Sequence, residues 1–324
     1  VMLCIEGTYF AREKDAAMQD IKDQISRLKK ERDAVILAHY YVPDEVQDIA
    51  DYIGDSYYLS KIAAKAQENI IVFCGVYFMG ESAKILNPSK KVLMPDLRAD
   101  CPMAHMATVS EIEKVRRAHP EAAVVCYINS TAEIKAHSDV CVTSANAVQV
   151  IKALPDPVIY FIPDSNLGKY VAGRVPEKQF IFNDGYCHVH TGIRREDVIN
   201  RKQAHPLAKI AAHPECLAEV LELADYIGST SGIIDYVEHT DAKDYIICTE
   251  TGVFHEIRGR ARGKNLYPAE KTQLCPDMKK NTLPGVLHAL ETLAPEVHVE
   301  AHILQKARLP LNRMLQLAGI KSDA

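Results

Sequence analysis

The sequence lacks any excess of basic residues: 38 Lys and Arg stand against 43 Asp and Glu among 324 residues, a formal charge of −5. Nucleic-acid and anionic-membrane binders need a basic field, so this balance argues against both classes. No apolar run approaches the roughly 18 residues that a membrane span requires. The N-terminus lacks the basic, apolar and small-residue order of a secretory signal. No Gly/Ser tract or low-complexity linker interrupts the chain, which predicts compact packing rather than separate beads. The nine cysteines include no C-x-x-C pair. Without an export signal they read as reduced thiols or metal ligands, and the expected compartment is cytoplasmic. What remains is ordinary globular composition, 48% hydrophobic and 25% charged. A chain this long buries about three quarters of its extended surface and needs no disulfide staples.

What is present is a repeat. Three apolar runs end in polar residues: Ala34–Tyr41 (AVILAHYY), Ala122–Asn129 (AAVVCYIN) and Ala208–Glu215 (AKIAAHPE). Aligning their ends makes His39, Tyr127 and His213 equivalent, with offsets of 88 and 86. Seventeen residues after each stands a hydroxyl residue: Ser56, Ser144 and Thr230. A second apolar run then brings Cys74, Tyr160 and Cys248 into correspondence. A further step of 27 residues lands on cysteine in every copy: Cys101, Cys187 and Cys275.

Each copy shows one order of elements. An amphipathic helix (IKDQISRLKK, TVSEIEKVRR, REDVINRKQA) precedes a buried strand, a second helix and a second strand. A third short strand is expected at KVLMPD and KQFIFND. Alternating strands and helices imply parallel sheets covered on both faces. The predicted fold class is α/β: three homologous three-layer α/β/α domains with parallel sheets, related by a pseudo-threefold axis. The expected units are residues 20–103, joined by the C-terminal segment 276–324, then 104–189 and 190–275.

In open parallel sheets, ligands bind beyond the carboxyl ends of the strands. His39 and Tyr41, Tyr127 and Asn129, and His213 and Glu215 form i, i+2 pairs there, so each pair faces one side. Three such pairs at equivalent positions predict a shared cleft. Ser56, Ser144 and Thr230 resemble helix N-caps, and capping alone would account for them. The same helix starts also offer N–H groups and a positive dipole end to an anion, best in the GSTSG segment around Thr230. It is not a phosphate-binding loop of the G-K-[ST] type, and GVYFMGES lacks the G-x-G-x-x-G order of a dinucleotide site. The basic run Arg258–Lys264 reads as a solvated surface loop.

Three thiolates converging on one axis repel unless a cation neutralises them. Zinc could take the three cysteines and one water. An iron–sulfur cluster held by three cysteines would leave one iron open to substrate. Cys4, Cys74, Cys126, Cys141, Cys216 and Cys248 are expected to be core or incidental thiols.

At this point the motifs carry a family resemblance. HYYVPDEVQDIADYIGDS, CGVYFMGESAKILNP, DLRADCPMA, YINSTAEIKAHSDVCVTSAN, FIPDSNLGKYVA, GYCHVH, AAHPEC, YIGSTSGI, TETG and CPDMKKNTL together resemble the quinolinate synthase family of de novo NAD biosynthesis, in order from about Val35 to Met314. The resemblance implies a triangle of three α/β domains and one [4Fe–4S] cluster per chain, ligated by Cys101, Cys187 and Cys275. The implied reaction condenses iminoaspartate with dihydroxyacetone phosphate to quinolinate, releasing phosphate and two waters, with the open iron as Lewis acid. It also implies a pathway link to an aspartate oxidase or dehydrogenase. Fitted to that chemistry, Glu215 and His213 become acid/base groups, and Tyr41 and Tyr127 donors to developing oxyanions. His39 and His190 would hold a substrate carboxylate or phosphate, and Asn129 would orient a polar group. Ser56, Ser144 and Thr230 would mark the anion sites. Some relatives carry extra cysteines beside the third ligand; here Thr272, Gln273 and Met278 flank Cys275, so no thiol–disulfide switch is expected. A different open-iron dehydratase, or a metal scaffold without turnover, would be the competing readings.

Overall fold

The computed structural model describes residues 2–319, with side chains from residue 16 onward. The side chain of Cys4 and the last residues of the expected C-terminal segment lie outside the described residues. Twelve strands form three four-stranded sheets. The first holds β1 (Ala34–His39), β2 (Tyr52–Gly54), β3 (Ile70–Cys74) and β4 (Lys91–Leu93). The second holds β5 (Ala122–Tyr127), β6 (Val140–Val142), β7 (Val158–Ile162) and β8 (Gln179–Phe182). The third holds β9 (Lys209–Ala212), β10 (Tyr226–Ile227), β11 (Asp244–Cys248) and β12 (Asn265–Pro268). Every pairing is parallel, and the spatial order is the same each time: β2-β1-β3-β4, β6-β5-β7-β8, β10-β9-β11-β12. The predicted class of three α/β units is therefore the observed one. The central strands β1, β3, β5 and β7 are buried along their whole length, as near-continuous apolar runs covered by helices must be.

The expected strands at KVLMPD and KQFIFND are β4 and β8, and β12 takes their place in the third copy. The edge strands β2, β6 and β10 escape a pattern reading because two or three residues carry no period. Their position is fixed instead by one aspartate per copy. Asp51, Asp139 and Asp225 stand directly before these strands and accept from the amides of Ile36, Val124 and Ile210 at 2.9, 2.7 and 2.8 Å. Their own amides donate back to the same three residues' carbonyls. Each carboxylate also meets a cation, Lys29 at 2.5 Å, Arg116 at 3.0 Å and Lys209 at 2.8 Å. The two-way clamp satisfies backbone groups that a very short edge strand would leave open.

The expected helices are present, over Met2–Glu31, Val109–Ala118 and Arg195–Ala204, but the third is polar nearly all round rather than amphipathic, with Val198 its buried residue. Beyond the third copy, the helix Leu283–Thr292 packs on the N-terminal helix and β3. The final helix, Ala301–Leu317, lies mainly against the helix Ala132–Ala136 and β6 of the second copy, and also touches Tyr77–Leu86 of the first. It thereby ties two units together. Among the described residues, no helix is long and apolar enough to cross a membrane.

Candidate active site

The parallel sheets send the carboxyl ends of β1, β5 and β9 toward one cavity. His39, Tyr41, Ser56, Tyr127, Asn129, Ser144, His190, His213, Glu215 and Thr230 all line it, together with Cys101, Cys187 and Cys275. All thirteen residues singled out in the sequence thus meet in one place. Cys74, Cys126, Cys141, Cys216 and Cys248 are buried in the core and absent from its walls.

The strand-end pairs use a shared local device. The amide of Tyr41 donates to His39 Nδ1 at 3.2 Å, and the amide of Glu215 donates to His213 Nδ1 at 3.3 Å. Each imidazole therefore carries its hydrogen on Nε2. Burial pushes the pKa of both His39 and His213 down to about 3, so both stand neutral. His213 Nε2 is 3.1 Å from Ser144 Oγ. In the second copy the equivalent residue is Tyr127, whose hydroxyl donates to Glu215 Oε1 at 2.5 Å.

Glu215 is the charged centre. Burial opposes its ionisation, but the imidazole of His190, 2.7 Å from Oε2, and the Tyr127 hydroxyl outweigh that and hold its pKa low. At the low pH where Glu215 titrates, the protonated His213 adds to that attraction. The rings of His190 and His213 stack with centroids 4.6 Å apart. Tyr41 Oη lies 2.7 Å from both Thr230 Oγ1 and Thr249 Oγ1, and Thr249 Oγ1 is 2.8 Å from His190 Nε2. One chain of hydrogen bonds therefore runs from Tyr41 through His190 and Glu215 to Tyr127. Burial keeps both tyrosines protonated, and the Glu215 charge adds to this for Tyr127.

The hydroxyl residues are not the caps their sequences suggest. Asp55 and Ser229 are the N-caps, accepting from the amides of Tyr58 and Gly232. Ser56 and Thr230 are the first residues of their helices, Ser56–Lys65 and Thr230–His239, and Ser144 precedes the short helix Ala147–Ala153. The preceding residue satisfies the helix end, leaving the Ser56 and Thr230 hydroxyls facing the cavity. Among the described residues no Lys or Arg lines this cavity, so an anion here would be met by amides, hydroxyls and imidazoles. Asn129 Oδ1 is buried without a protein partner, an acceptor free for a donor group on a bound molecule.

The three thiols occupy matching turns. Cys101 and Cys187 are extended residues that lead directly into the helical turns Pro102–His105 and His188–Gly192, and Cys275 stands three residues before the turn Met278–Lys280. Nearby backbone amides favour the thiolate form at each sulfur, those of Met103 and Ala104 at Cys101, of His190 at Cys187, and of Asp277 and Met278 at Cys275. Burial nevertheless pushes all three thiols up, Cys275 to about 11, and neighbouring anions, Cys275 for Cys101 and Glu215 for Cys187, add to it. Buried sulfurs whose neighbouring amides favour the thiolate suit a metal group that would bring the positive charge.

Sequence reasoning missed Thr249, Glu250 and Lys279. Glu250 is buried and accepts from the amides of Cys275 (3.2 Å) and Gly252 (2.6 Å). Lys279 pairs with it at 2.9 Å and donates to the Tyr41 carbonyl at 2.6 Å, joining the third cysteine to the Tyr41 loop. The sequence signals were TETG for Thr249 and Glu250 and CPDMKKNTL for Lys279, neither of which singles out these residues by a repeat. Gly185 and Gly252 permit close backbone approaches. A Cβ at Gly185 would sit 2.4 Å from the Pro163 carbonyl oxygen, and one at Gly252 2.7 Å from that of Tyr40.

Three α/β units that close around a buried carboxylate–imidazole pair and three converging thiols make this an α/β enzyme with a centre suited to a metal group. Comparison with known proteins gives the family. Residues 23–316 match the quinolinate synthetase A protein family, and the chain belongs to it. It is 52% identical to the quinolinate synthase of Fusobacterium nucleatum over 299 residues, covering 92% of this chain and 100% of that protein. The quinolinate synthase of Clostridioides difficile is 49% identical over 300 residues (93% and 99% covered), and that of Caldicellulosiruptor saccharolyticus 46% over 301 residues (93% and 99%).

Proposed function

We propose that this chain is a quinolinate synthase of NAD biosynthesis, condensing iminoaspartate with dihydroxyacetone phosphate to quinolinate with release of phosphate and two waters. In this reading Cys101, Cys187 and Cys275 hold one [4Fe–4S] cluster per chain, and the repeats divide at 20–103, 104–189 and 190–275. Bound there, the cluster would supply an open iron as a Lewis acid for the dehydrations. The observation that carries the reading is the convergence of three thiols on the cavity wall beside the Glu215–His190 pair.

The chain's own residues supply binding and proton movement. The substrates bring carboxylates and a phosphate, and the helix starts at Ser56 and Thr230, with Ser144, offer hydroxyls and amides to them. The Nε2–H groups of His39 and His213 donate to the same anions. An anion held beside His213 also raises its pKa and makes it a usable acid. Glu215 is the base: it is ionised and linked on one side to His190 and on the other to Tyr127, so a proton it accepts can be passed along either contact. Tyr127 and Tyr41 donate to oxygen as negative charge develops. Asn129 Oδ1 accepts from the imine or amine of the substrate. A cytoplasmic setting, with an aspartate oxidase or dehydrogenase supplying the imine, belongs to the same reading.

The test is anaerobic purification with iron and sulfide analysis, followed by a quinolinate assay, for the parent and Cys187→Ala. One cubane per chain and quinolinate formation, both lost in the variant, are expected. A parent protein without iron or without product would overturn the proposal.

A further inference from the structure

Cys187 has a neighbourhood unlike that of the other two cysteines. Its Sγ lies 3.1 Å from His190 Nδ1, and the same nitrogen lies 2.7 Å from Glu215 Oε2. These sulfur, nitrogen and oxygen atoms all fall within 4.8 Å of one another, and among the described residues no other group of three such side chains does. A single nitrogen thus contacts two acidic groups from two different elements, the turn after β8 and the end of β9. A cation could replace the proton that links them.

We propose that in the cluster-free chain Cys187, His190 and Glu215 bind one zinc-class divalent cation, and that this cation excludes the cluster because both require Cys187 Sγ. The site itself stands on its own geometry; only the exclusion rests on the function proposed above.

The donor set matches zinc chemistry, which takes thiolate, imidazole and carboxylate together and leaves a fourth position to water. Charge also balances. A thiolate and a carboxylate neutralise a divalent ion, and the imidazole adds none, which a buried site demands. Binding sends the Cys187 thiol proton to solvent. Zinc–ligand bonds of about 2.0–2.3 Å would hold the ligand atoms roughly 3.3–3.6 Å apart, so the present contacts must open by about half an ångström. Side-chain rotation toward the cavity supplies that.

An outer shell is already built. Thr249 Oγ1 sits 2.8 Å from His190 Nε2, and Tyr127 donates to Glu215 Oε1 at 2.5 Å. With a metal on Nδ1, Nε2 carries the hydrogen and donates to Thr249, fixing the tautomer as in protein zinc sites.

The experiment titrates the cluster-free full chain with Co²⁺ under anaerobic conditions and then displaces it with Zn²⁺. One Co²⁺ per chain is expected, with the charge-transfer absorption of a single thiolate. The double variant Cys101→Ala/Cys275→Ala should keep this uptake, whereas His190→Asn and Glu215→Gln should each lose it. Thr249→Val should weaken it about 10- to 100-fold. No uptake by the parent, or uptake unchanged in His190→Asn and Glu215→Gln, overturns the site. Loss in the double cysteine variant would instead assign the metal to three cysteines and overturn it equally. For the exclusion, zinc-loaded protein should fail to take up iron and sulfide that the metal-free chain accepts. Full cluster assembly with zinc retained overturns the exclusion. A chain that takes no iron with or without zinc overturns the cluster reading, and the exclusion with it, while the cobalt result still decides the site.

Discussion

Glu215→Gln separates the charge of this side chain from its shape. In the parent, Oε1 accepts from Tyr127 at 2.5 Å and Oε2 lies 2.7 Å from His190 Nδ1. Glutamine can keep both contacts, its carbonyl oxygen accepting from His190 and its amide donating to the Tyr127 oxygen. Stability should therefore change by only about 1 kcal/mol, the net value of one remade hydrogen bond. The reaction should change far more. The amide cannot accept a proton, and loss of a positioned base costs roughly 10²- to 10⁴-fold in rate, or about 3–5 kcal/mol in the barrier. The assay is anaerobic quinolinate formation, with iron content and thermal midpoint measured on the same preparation. Matched iron and midpoint with a rate lowered at least 100-fold is the expected result. A parent-like rate at matched iron would refute the assignment of Glu215 as the base.

Three further outcomes are expected. Ser56→Ala, which removes a cavity-facing hydroxyl while leaving the Asp55 cap in place, should raise KM for the triose phosphate about 10-fold or more with little change in kcat; a change confined to kcat would place Ser56 elsewhere in the reaction. Gly185→Ala would press a Cβ to 2.4 Å from the Pro163 carbonyl oxygen, two residues before Cys187, and should cost about 1–3 kcal/mol and lower the iron per chain. A thermal midpoint and iron content equal to the parent's would show that the backbones do not need this approach. Asp225→Asn should lower stability by about 1 kcal/mol or less at neutral pH. Burial opposes the ionised Asp225, but Lys209 and the Ile210 amide hold its pKa below the ordinary value. That stabilisation is present above the unfolded pKa of about 3.9 and fades as pH falls through the folded one. Denaturation curves of parent and variant should therefore converge in acid; a gap that widens there would reverse the sign of the argument.

Much of the site was legible before any coordinates because the three copies have nearly equal element lengths. Equal lengths put His39, Tyr127 and His213, and the three cysteines, at equal offsets, and a parallel sheet sends every such strand end the same way. The clamps at Asp51, Asp139 and Asp225 follow the same 88 and 86 offsets, yet a single aspartate before a very short strand has no pattern to mark it. The caps were displaced by one residue because DS and ST each offer two adjacent capping side chains, and only backbone geometry decides which turns inward to the helix end.

The sequence by itself determined the class of fold, the number of units and which side chains would stand at the strand ends, because periodicity and spacing are local properties of the chain. Only the tertiary structure decided that Glu215 is shared between His190 and Tyr127, that Thr249 links Tyr41 to His190, and that Lys279 joins Glu250 to the Tyr41 loop. The Tyr127–Glu215 and Tyr41–Thr249 contacts cross between copies. Their partners are tens to hundreds of residues apart in the chain, and hydrogen bonds and charges select them only once packing of the three units has brought the groups within about 3 Å and removed the water between them.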